Sequence, residues 1–251
     1  MRENAPIKHA VVTGASTGIG EATVRALRAA GWQVVAVARR ADRLEKLAAE
    51  TGALAYAADV SKDDDVAALV AFVDENGGLD TLINVAGGAR GADSIGAAQN
   101  EDWEWMFQAN VMGTMKMVRA FLPALREHRA GTVLNLTSTA GLAAYEGGAG
   151  YNAAKFAQHA LTNALRLEEV EHNLRVIEVA PGLVHTEEFA LNRLGDQAAA
   201  DKVYQGVSKP LTADDVAEVV AYAVGLPHHI NLDQIVIRPV AQAANHKLVR
   251  Q

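Results

Sequence analysis

The stretch Thr13-Gly14-Ala15-Ser16-Thr17-Gly18-Ile19-Gly20 decides the fold of this chain. It follows a short apolar run at 10–13 and precedes a helical pattern near 18–30, so three glycines fall at a predicted strand-to-helix turn. Glycine permits positive φ angles in such a turn and lets backbone N–H groups approach a pyrophosphate at the positive end of the helix. The position of the turn inside a predicted β-α-β unit favours a nucleotide-binding loop over the alternative, a plain tight connection.

Short β-branched runs alternate with longer helical patterns along the whole chain, which is typical of parallel β-α-β units. The predicted strands lie at 10–13, 33–38, 54–57, 81–84, 132–137, 175–179 and 234–238, and the predicted helices near 18–30, 41–50, 63–75, 101–128, 151–172 and 212–225. We therefore predict an α/β fold, a Rossmann-type doubly wound sheet of about seven parallel strands with helices on both faces. No linker or repeat interrupts the pattern, so we expect residues 1–251 to form a single domain, with an irregular substrate loop at about 185–210 and a polar C-terminal tail at 240–251.

Composition and charge exclude several classes of function. The 251 residues are 50% hydrophobic and contain no cysteine, so cysteine-based redox, zinc and nucleophile chemistry is excluded. The 23 Lys and Arg residues against 30 Asp and Glu give a net charge of −7, which argues against nucleic-acid and anionic-membrane partners. The polar start at 1–9 is unlike a signal peptide, and no run approaches the roughly 20 apolar residues of a membrane span. We expect a cytoplasmic protein without a metal site.

The end of the second predicted strand reads Ala38-Arg39-Arg40. NAD-selective folds of this type place an acidic residue there, which would repel a 2′-phosphate. A guanidinium instead gives that phosphate a charge-assisted hydrogen bond, so the pair predicts NADP(H) as cofactor. The alternative is that Arg39, Arg40 and Arg43 are solvated residues at a helix start. A helix start disfavours cations, which favours the functional interpretation.

Tyr151-Asn152-Ala153-Ala154-Lys155 places a phenol and an ammonium group four residues apart, on one face of a predicted helix. Ser138 follows the fifth predicted strand, 13 residues before Tyr151. Together with the glycine loop, these residues resemble the short-chain dehydrogenase/reductase family over nearly the whole chain. The further matches are Asp59-Val60, Asn84-Val85-Ala86-Gly87, Asn110 and Pro181-Gly182. Val85 stands where the family usually has a second asparagine, which bears on the hydrogen bonding of that loop.

The resemblance implies reversible hydride transfer between a nicotinamide and an alcohol or carbonyl. It makes Tyr151 the general acid/base and Ser138 the hydrogen-bond donor to the substrate oxygen. Lys155 and the oxidised nicotinamide would lower the pKa of the phenol, and Lys155 would also hold the nicotinamide ribose. Asn110 would bind a water that relays protons to Lys155. For Asn110 the alternative is a buried polar residue whose hydrogen bonds are satisfied within the protein.

The same resemblance implies a set of cofactor contacts. Asp59 and Val60 would contact the adenine, and Val184 and Thr186 the nicotinamide carboxamide. The implied cofactor-binding residues are Gly14, Ser16, Thr17, Gly18, Ile19, Gly20, Arg39, Arg40, Asp59, Val60, Asn84, Ala86, Gly87, Tyr151, Lys155, Pro181, Gly182, Val184 and Thr186.

Three stretches resemble the NADP-dependent 3-hydroxy acid dehydrogenase branch of the family: Tyr145-Glu146-Gly147-Gly148, Pro181-Gly182-Leu183-Val184 and the C-terminal end. A hydroxy acid needs a cation for its carboxylate, and Arg90 is the first choice. The other cations of the irregular stretches are His185, Arg193, Lys202 and Lys209. A solvated loop arginine is the alternative for Arg90.

Other functions stay open. A carbonyl or aldehyde reductase acting on a hydrophobic ketone or aldehyde is one alternative, and a non-catalytic NADP(H) sensor is another. A nucleotide-sugar epimerase is disfavoured because the chain lacks an added substrate domain. The resemblance also implies a homotetramer, or a homodimer, built on the helices predicted at 101–128 and 151–172. The first of these carries an excess of large apolar residues, Trp103, Met106, Phe107, Met115 and Phe121.

Overall fold

The computed structural model describes residues 8–251. The prediction about the polar start of the chain, at 1–9, lies mostly outside these described residues. The strands are β1 His9–Thr13, β2 Gln33–Ala38, β3 Leu54–Ala57, β4 Thr81–Asn84, β5 Thr132–Leu136, β6 Arg175–Pro181, β7 Val184–His185, β8 Leu211–Thr212, β9 Gln234–Ile237, β10 Gln242–Ala244 and β11 Lys247–Leu248. The α-helices are α1 Gly18–Ala29, α2 Ala41–Thr51, α3 Asp63–Glu75, α4 Asn100–Phe107, α5 Gly113–His128, α6 Ala149–Glu169, α7 Phe189–Leu194, α8 Gln197–Tyr204 and α9 Ala213–Gly225. None of these helices is long and apolar enough to cross a lipid bilayer.

Seven strands form one parallel sheet in the order β3-β2-β1-β4-β5-β6-β9. Val11 in β1 is paired with Val35 of β2 on one side and with Leu82 of β4 on the other. The order of the strands reverses between β1 and β4, and a crevice opens at the carboxyl ends of strands at such a point. The predicted fold class is confirmed, including the number and direction of the strands.

The core lies on both faces of the sheet because successive side chains of a strand point to opposite faces. Val12 of β1 packs in one buried cluster with Leu27 of α1 and Val220 of α9. Its neighbour Val11 packs in the other cluster, with Leu69 of α3 and Phe121 of α5. Helices therefore cover both faces, as the near-continuous apolar strands predict.

The helix predicted at 101–128 is not continuous. One π-helical turn, Gln108–Met112, separates α4 from α5. The cause lies in the side chain of Asn110, whose Nδ2 donates to the carbonyl oxygen of Met106 at 2.7 Å and to that of Gly88 at 2.9 Å. A π turn inserts one residue into a helix and re-aims the side chains around it, often at functional sites.

Two stretches predicted as irregular are regular in the structure. The segment at 185–210 contains α7 and α8, because Gly195 ends α7 in the left-handed region at φ 69° and Asp196 caps α8 through its side chain. The tail predicted at 240–251 forms the β10–β11 hairpin. Both segments pack at the carboxyl end of the sheet, where they complete the walls of the crevice.

Candidate active site

A cleft of about 1210 Å³ opens at the carboxyl end of the sheet. Its walls carry most of the residues that the sequence predicts for the site: Gly14, Ser16, Thr17, Gly18, Ile19, Arg39, Arg40, Asp59, Val60, Ala86, Gly87, Ser138, Tyr151, Lys155, Pro181, Gly182, Val184 and Thr186. These residues come from segments between residues 14 and 186 of the chain, and the folding of the sheet brings them to one place. Three predicted residues, Gly20, Asn84 and Asn110, are not on the cleft wall.

The glycine loop is fastened to the loop after β4 by one hydroxyl group. Thr13 Oγ1 accepts hydrogen bonds from the backbone N–H groups of Val85 and Ala86, each at 3.0 Å. Gly14 has φ 69°, and a Cβ atom on it would lie 2.9 Å from the nitrogen of Ala86, so only glycine fits there. The valine at position 85 therefore leaves the loop hydrogen-bonded through its backbone.

Gly20 and Asn84 have packing roles in the structure, and the cofactor contacts implied for them stay predictions. A Cβ atom on Gly20 would lie 2.2 Å from the carbonyl oxygen of Gly14, so this glycine lets α1 pack against the loop. Asn84 is buried at the end of β4, where its Nδ2 donates to Asn135 Oδ1 of the neighbouring strand at 2.9 Å. Both residues shape the loops from behind.

The start of α1 fits a phosphate group. Its N-cap residue, Thr17, makes no side-chain capping bond, so the first N–H groups of the helix have no side-chain partner there and open toward the cleft. Thr186 lies directly over this loop, since a Cβ atom on Gly18 would be 3.4 Å from Thr186 Cγ2. Asp59 accepts two hydrogen bonds from Ser61, which holds its carboxylate at the cleft wall beside β3.

Guanidinium groups stand next to this phosphate-sized space. Arg40 donates to Ser16 Oγ through Nε at 3.2 Å and through Nη2 at 2.9 Å. Its Nη1 forms an ion pair with Glu188 at 2.8 Å, and Arg43 pairs with the same oxygen of Glu188 at 2.6 Å. Arg39 is exposed on the rim. Of the arginines that the sequence singles out, Arg40 is thus bound to Ser16, Arg43 is paired with Glu188, and Arg39 is exposed.

Ser138, Tyr151 and Lys155 meet on the opposite wall. Ser138 follows β5 by two residues and is only 9% exposed; its Oγ accepts from the N–H of Ala140 at 3.1 Å. Tyr151 and Lys155 lie on one face of α6, with Lys155 Nζ 5.8 Å from the centroid of the phenol ring. Phe189 of α7 packs edge-on against that ring, with 5.7 Å between the centroids, and shields it from solvent.

Lys155 is held by a chain of buried hydrogen bonds. Its Nζ donates to the carbonyl oxygen of Leu136 at 3.1 Å and to Gln158 Oε1 at 2.7 Å. Gln158 in turn donates to Thr114 Oγ1 at 2.9 Å, and Thr114 donates to the carbonyl oxygen of Asn110 at 2.8 Å. The chain connects the ammonium group to the π turn between α4 and α5.

The side chain of Asn110 does not line the cleft, and the water relay to Lys155 that the resemblance implies for it stays a prediction. The amide is fully buried, and its Oδ1 accepts from the N–H of Gly88 at 3.1 Å while its Nδ2 serves Gly88 and Met106. The alternative raised by the sequence, a satisfied buried polar residue, describes the side chain. We infer that Asn110 positions the Gly87-Gly88 loop from behind.

Burial dominates the ionisation of both groups on α6. It lowers the pKa of Lys155 to about 7, against the opposing effect of the Glu178 carboxylate. It also raises the pKa of the Tyr151 phenol above its usual value, and Tyr145 adds to the rise while Ser138 and Arg193 oppose it. In the protein alone, desolvation outweighs the neighbouring charges. The lowered pKa predicted from the family resemblance concerns the complex with the oxidised nicotinamide and stays a prediction. At neutral pH the phenol of the protein alone carries its proton.

Arg193, one of the alternative cations in the sequence, lies on α7. It donates to the hydroxyl of Tyr145 at 3.1 Å and to the carbonyl oxygen of Gly147 at 2.7 Å, so it ties α7 to the loop before α6. Two further cleft residues escaped the sequence-based prediction. From the tail, Gln242 accepts from the N–H of Leu183 at 2.8 Å, and Asn245 donates to the carbonyl oxygen of Thr139 at 3.0 Å. Single amide side chains in a polar tail carry no periodic signal that would have revealed them.

Arg90, the first choice for a substrate carboxylate, lies on the same cleft but in a different setting. Its guanidinium is exposed and stacks on the ring of Trp105, 4.3 Å from the centroid. The charge that acts on the Tyr151 phenol is that of Arg193. Of the two arginines, Arg193 is therefore the one electrostatically coupled to the reacting group.

Comparison with known proteins agrees with this geometry. The family model described as short chain dehydrogenase matches residues 8–196. The chain belongs to the short-chain dehydrogenase/reductase family. It is accordingly an oxidoreductase, from a family that uses nicotinamide cofactors.

Three relatives illustrate the likeness of this short-chain dehydrogenase. An uncharacterized oxidoreductase of Mycobacterium tuberculosis is 51% identical over 236 residues, which is 94% of this chain and 92% of the relative. An NADP-dependent 3-hydroxy acid dehydrogenase of Shigella flexneri is 36% identical over 237 residues, 93% of this chain and 95% of the relative. The structure of the closed form of a serine dehydrogenase complexed with NADP+ matches with a TM-score of 0.91 at 35% identity, covering 97% of this chain and 99% of that chain.

Asn110→Ala tests the positioning role of this side chain. The substitution leaves the N–H and C=O groups of Gly88 without their side-chain partner, so the free energy of unfolding should fall by about 2–4 kcal/mol. Urea unfolding measures this change. Asn76→Ala is the control, because Asn76 also donates to the carbonyl oxygen four residues earlier but is exposed, and it should cost less than about 0.5 kcal/mol. Equal small losses in both variants would contradict the assignment.

Lys155→Met tests the buried ammonium group. The pKa of Lys155 is about 7 in the folded protein and 10.5 in the unfolded chain. Between pH 7 and 9 this side chain is therefore mostly neutral in the folded protein but charged in the unfolded chain. The unfolded chain then binds more protons, so the free energy of unfolding rises with pH. Over these two pH units it should rise by about 2 kcal/mol more in the wild type than in Lys155→Met. Urea unfolding of the exposed-lysine control Lys46→Met should follow the wild type; the same pH dependence in Lys155→Met would refute the prediction.

Proposed function

We propose that the chain is an NADP(H)-dependent dehydrogenase that interconverts a small 3-hydroxy acid and the matching 3-oxo acid. The observation that supports this most is the meeting of Ser138, Tyr151 and Lys155 with the guanidinium of Arg193 in one cleft. The first three residues supply proton transfer to an alcohol or carbonyl oxygen, and the fourth supplies a cation for a carboxylate. The names of the Shigella and serine dehydrogenase relatives support the same chemistry.

The residues of the cleft fit NADP(H). The open start of α1 would hold the pyrophosphate, and Asp59 and Val60 would lie against the adenine. Ser16 and Arg40, which already share two hydrogen bonds, would hold the 2′-phosphate, with Arg43 beside them. Thr186 and Val184 would border the nicotinamide. When bound, the nicotinamide supplies or accepts the hydride.

Proton transfer falls to Tyr151. In the reduction direction the neutral phenol, favoured by burial, gives its proton to the carbonyl oxygen of the substrate. In the oxidation direction the phenolate takes the proton of the alcohol. A phenolate beside Lys155 favours the protonated form of that lysine, whose charge then stabilises the phenolate. Ser138 donates a hydrogen bond to the same substrate oxygen and stabilises the charge that develops on it. Phe189 keeps water from the phenol.

Arg193 would bind the carboxylate of the substrate. It is half-buried, it is fixed by Tyr145 and Gly147, and its charge acts on Tyr151. Its Nε also donates to the carbonyl oxygen of Gly91 at 3.2 Å. Three of its five N–H groups are therefore engaged, and each Nη keeps one N–H for a carboxylate. This choice replaces Arg90, the first choice from the sequence, whose guanidinium stacks on Trp105 at the rim.

One alternative substrate has a specific observation in its favour. Apolar side chains also line the cleft, among them Leu183, Phe189, Val203 and Leu248, and they suit a hydrophobic ketone or aldehyde. A non-catalytic sensor would have no need of a complete Ser138, Tyr151 and Lys155 set. Assembly as a homotetramer and a cytoplasmic location stay predictions from the family resemblance.

Tyr151→Phe removes the proton donor and leaves the ring that packs against Phe189. Turnover of a 3-hydroxy acid with NADP+ should fall by at least about a hundredfold, while the Kd for NADP+ changes less than about threefold. Steady-state kinetics and calorimetric titration measure the two quantities. Phe72→Leu, in the core away from the cleft, serves as a control and should keep its kcat. A Tyr151→Phe variant with most of its kcat would refute the role of the phenol.

Arg193→Met tests the carboxylate site. It should lower kcat/KM for a 3-hydroxy acid by roughly ten- to a hundredfold relative to the methyl ester of that acid, because only the acid has a charge to lose. Arg90→Met is the matched variant and should change this ratio less than about threefold. Equal losses for acid and ester in Arg193→Met would indicate damage to the cleft in general. A selective loss in Arg90→Met would return the carboxylate site to Arg90.

A further inference from the structure

The carboxylate of Glu188 lies on the glycine-loop side of the cleft, although the residue belongs to the segment between β7 and α7. The chain leaves β6 through Pro181 and Gly182, and β7 is held by its pairing with β8. Thr186 then crosses over Gly18, and two residues later the chain reaches the start of α2 before it turns into α7. This path carries the carboxylate of Glu188 from the substrate side of the cleft to the side on which the glycine loop lies.

At that place the carboxylate joins Arg40, which donates to Ser16, and Arg43. Oε1 of Glu188 lies 2.8 Å from Arg40 Nη1 and 2.6 Å from Arg43 Nη1, and its side chain is 19% exposed. The two guanidinium groups hold the pKa of Glu188 below its usual range, so it is an anion at neutral pH. An anionic oxygen of Glu188 is thus held by two guanidinium groups, one of which also binds the Ser16 hydroxyl. A phosphate monoester requires cations and donors of the same kind.

We propose that Glu188 competes with the 2′-phosphate of the cofactor for Arg40 and Arg43, and thereby sets how strongly the chain prefers NADP(H) to NAD(H). This proposal rests on the proposed NADP(H) dependence. A phosphate dianion against Arg40 would lie next to the carboxylate, and two anions at such a distance repel each other. Binding of the phosphate must therefore break the ion pairs of Glu188, whereas a cofactor without that phosphate leaves them in place.

The competition also links the cofactor to the substrate side of the cleft. Glu188 immediately precedes α7, and its carbonyl oxygen accepts from the N–H of Asn192 in the first turn of that helix. The same helix brings Phe189 onto the Tyr151 phenol. Displacement of Glu188 releases the tie between α2 and the segment that carries Phe189. Coupling between two sites is reciprocal. If the segment is released from α2 in another way, the protein should therefore bind the 2′-phosphate more tightly.

Two small nucleotides test the proposal without turnover. Adenosine 2′,5′-bisphosphate carries the 2′-phosphate and AMP lacks it, and titration calorimetry gives the Kd of each. Glu188→Gln keeps the shape of the side chain but removes the competing charge, so it should bind the bisphosphate about tenfold more tightly and AMP within about twofold of the wild type. Glu187→Gln removes the same charge from the exposed neighbouring residue and should leave both Kd values within about twofold.

Hydrogen exchange adds a readout that a general change in surface charge does not move. In the wild type the bisphosphate, but not AMP, should raise the exchange rate of the amides in residues 189–194, and in Glu188→Gln that rate should already be high without ligand. An unchanged or weaker affinity of Glu188→Gln for the bisphosphate would overturn the proposal. If the NADP(H) assignment itself is wrong, calorimetry will instead give the wild type equal Kd values for AMP and the bisphosphate.

Discussion

The crevice at the carboxyl ends of β1 and β4 is the constraint on which the rest of the site depends. β1 leads into α1 on one face of the sheet, whereas β4 leads toward α5 on the other face, as the two buried clusters show. Neighbouring strands whose connections diverge in this way leave their ends uncovered. Thr13 bridges the two loops with a single hydroxyl and sets the width of the opening. The start of α1 and the wall that carries Ser138, Tyr151 and Lys155 both face the cleft at this opening.

A buried network of hydrogen bonds holds Lys155 on the cleft wall opposite the glycine loop. Lys155 is 4% exposed, and a charge so placed is costly unless it is hydrogen-bonded. Leu136 and Gln158 provide acceptors, and Thr114 and Asn110 extend the chain of hydrogen bonds to the π turn. Since each member satisfies the next, the network specifies one position for the ammonium group. The interruption between α4 and α5 is thus part of the support of the site.

Much of this arrangement is predictable from the sequence. The strands and the loop Thr13–Gly20 carry strong local signals, since β-branched runs and glycines at a strand-to-helix turn report directly on backbone geometry. Helical spacing predicts that Tyr151 and Lys155 share one face of α6, whereas their role in the site is predicted only from the resemblance to the family. The break at Asn110 is not, because it depends on hydrogen bonds to Gly88, which is 22 residues away in the chain. The same holds for Glu188, whose partners Arg40 and Arg43 lie far from it in sequence, and for the amide residues of the tail. Long-range polar contacts leave no periodic pattern.

The transfer of a labelled hydrogen tests the central claim most directly. The chain is mixed with NADP+ and 3-hydroxyisobutyrate in which deuterium replaces both hydrogens of the carbon bearing the hydroxyl group, and the reduced cofactor is analysed by mass spectrometry. We predict NADPH that contains one deuterium, formed faster than NADH in the parallel reaction with NAD+. Reduced cofactor without deuterium, or no reduced cofactor with this or other 3-hydroxy acids, would contradict hydride transfer from a 3-hydroxy acid in this cleft.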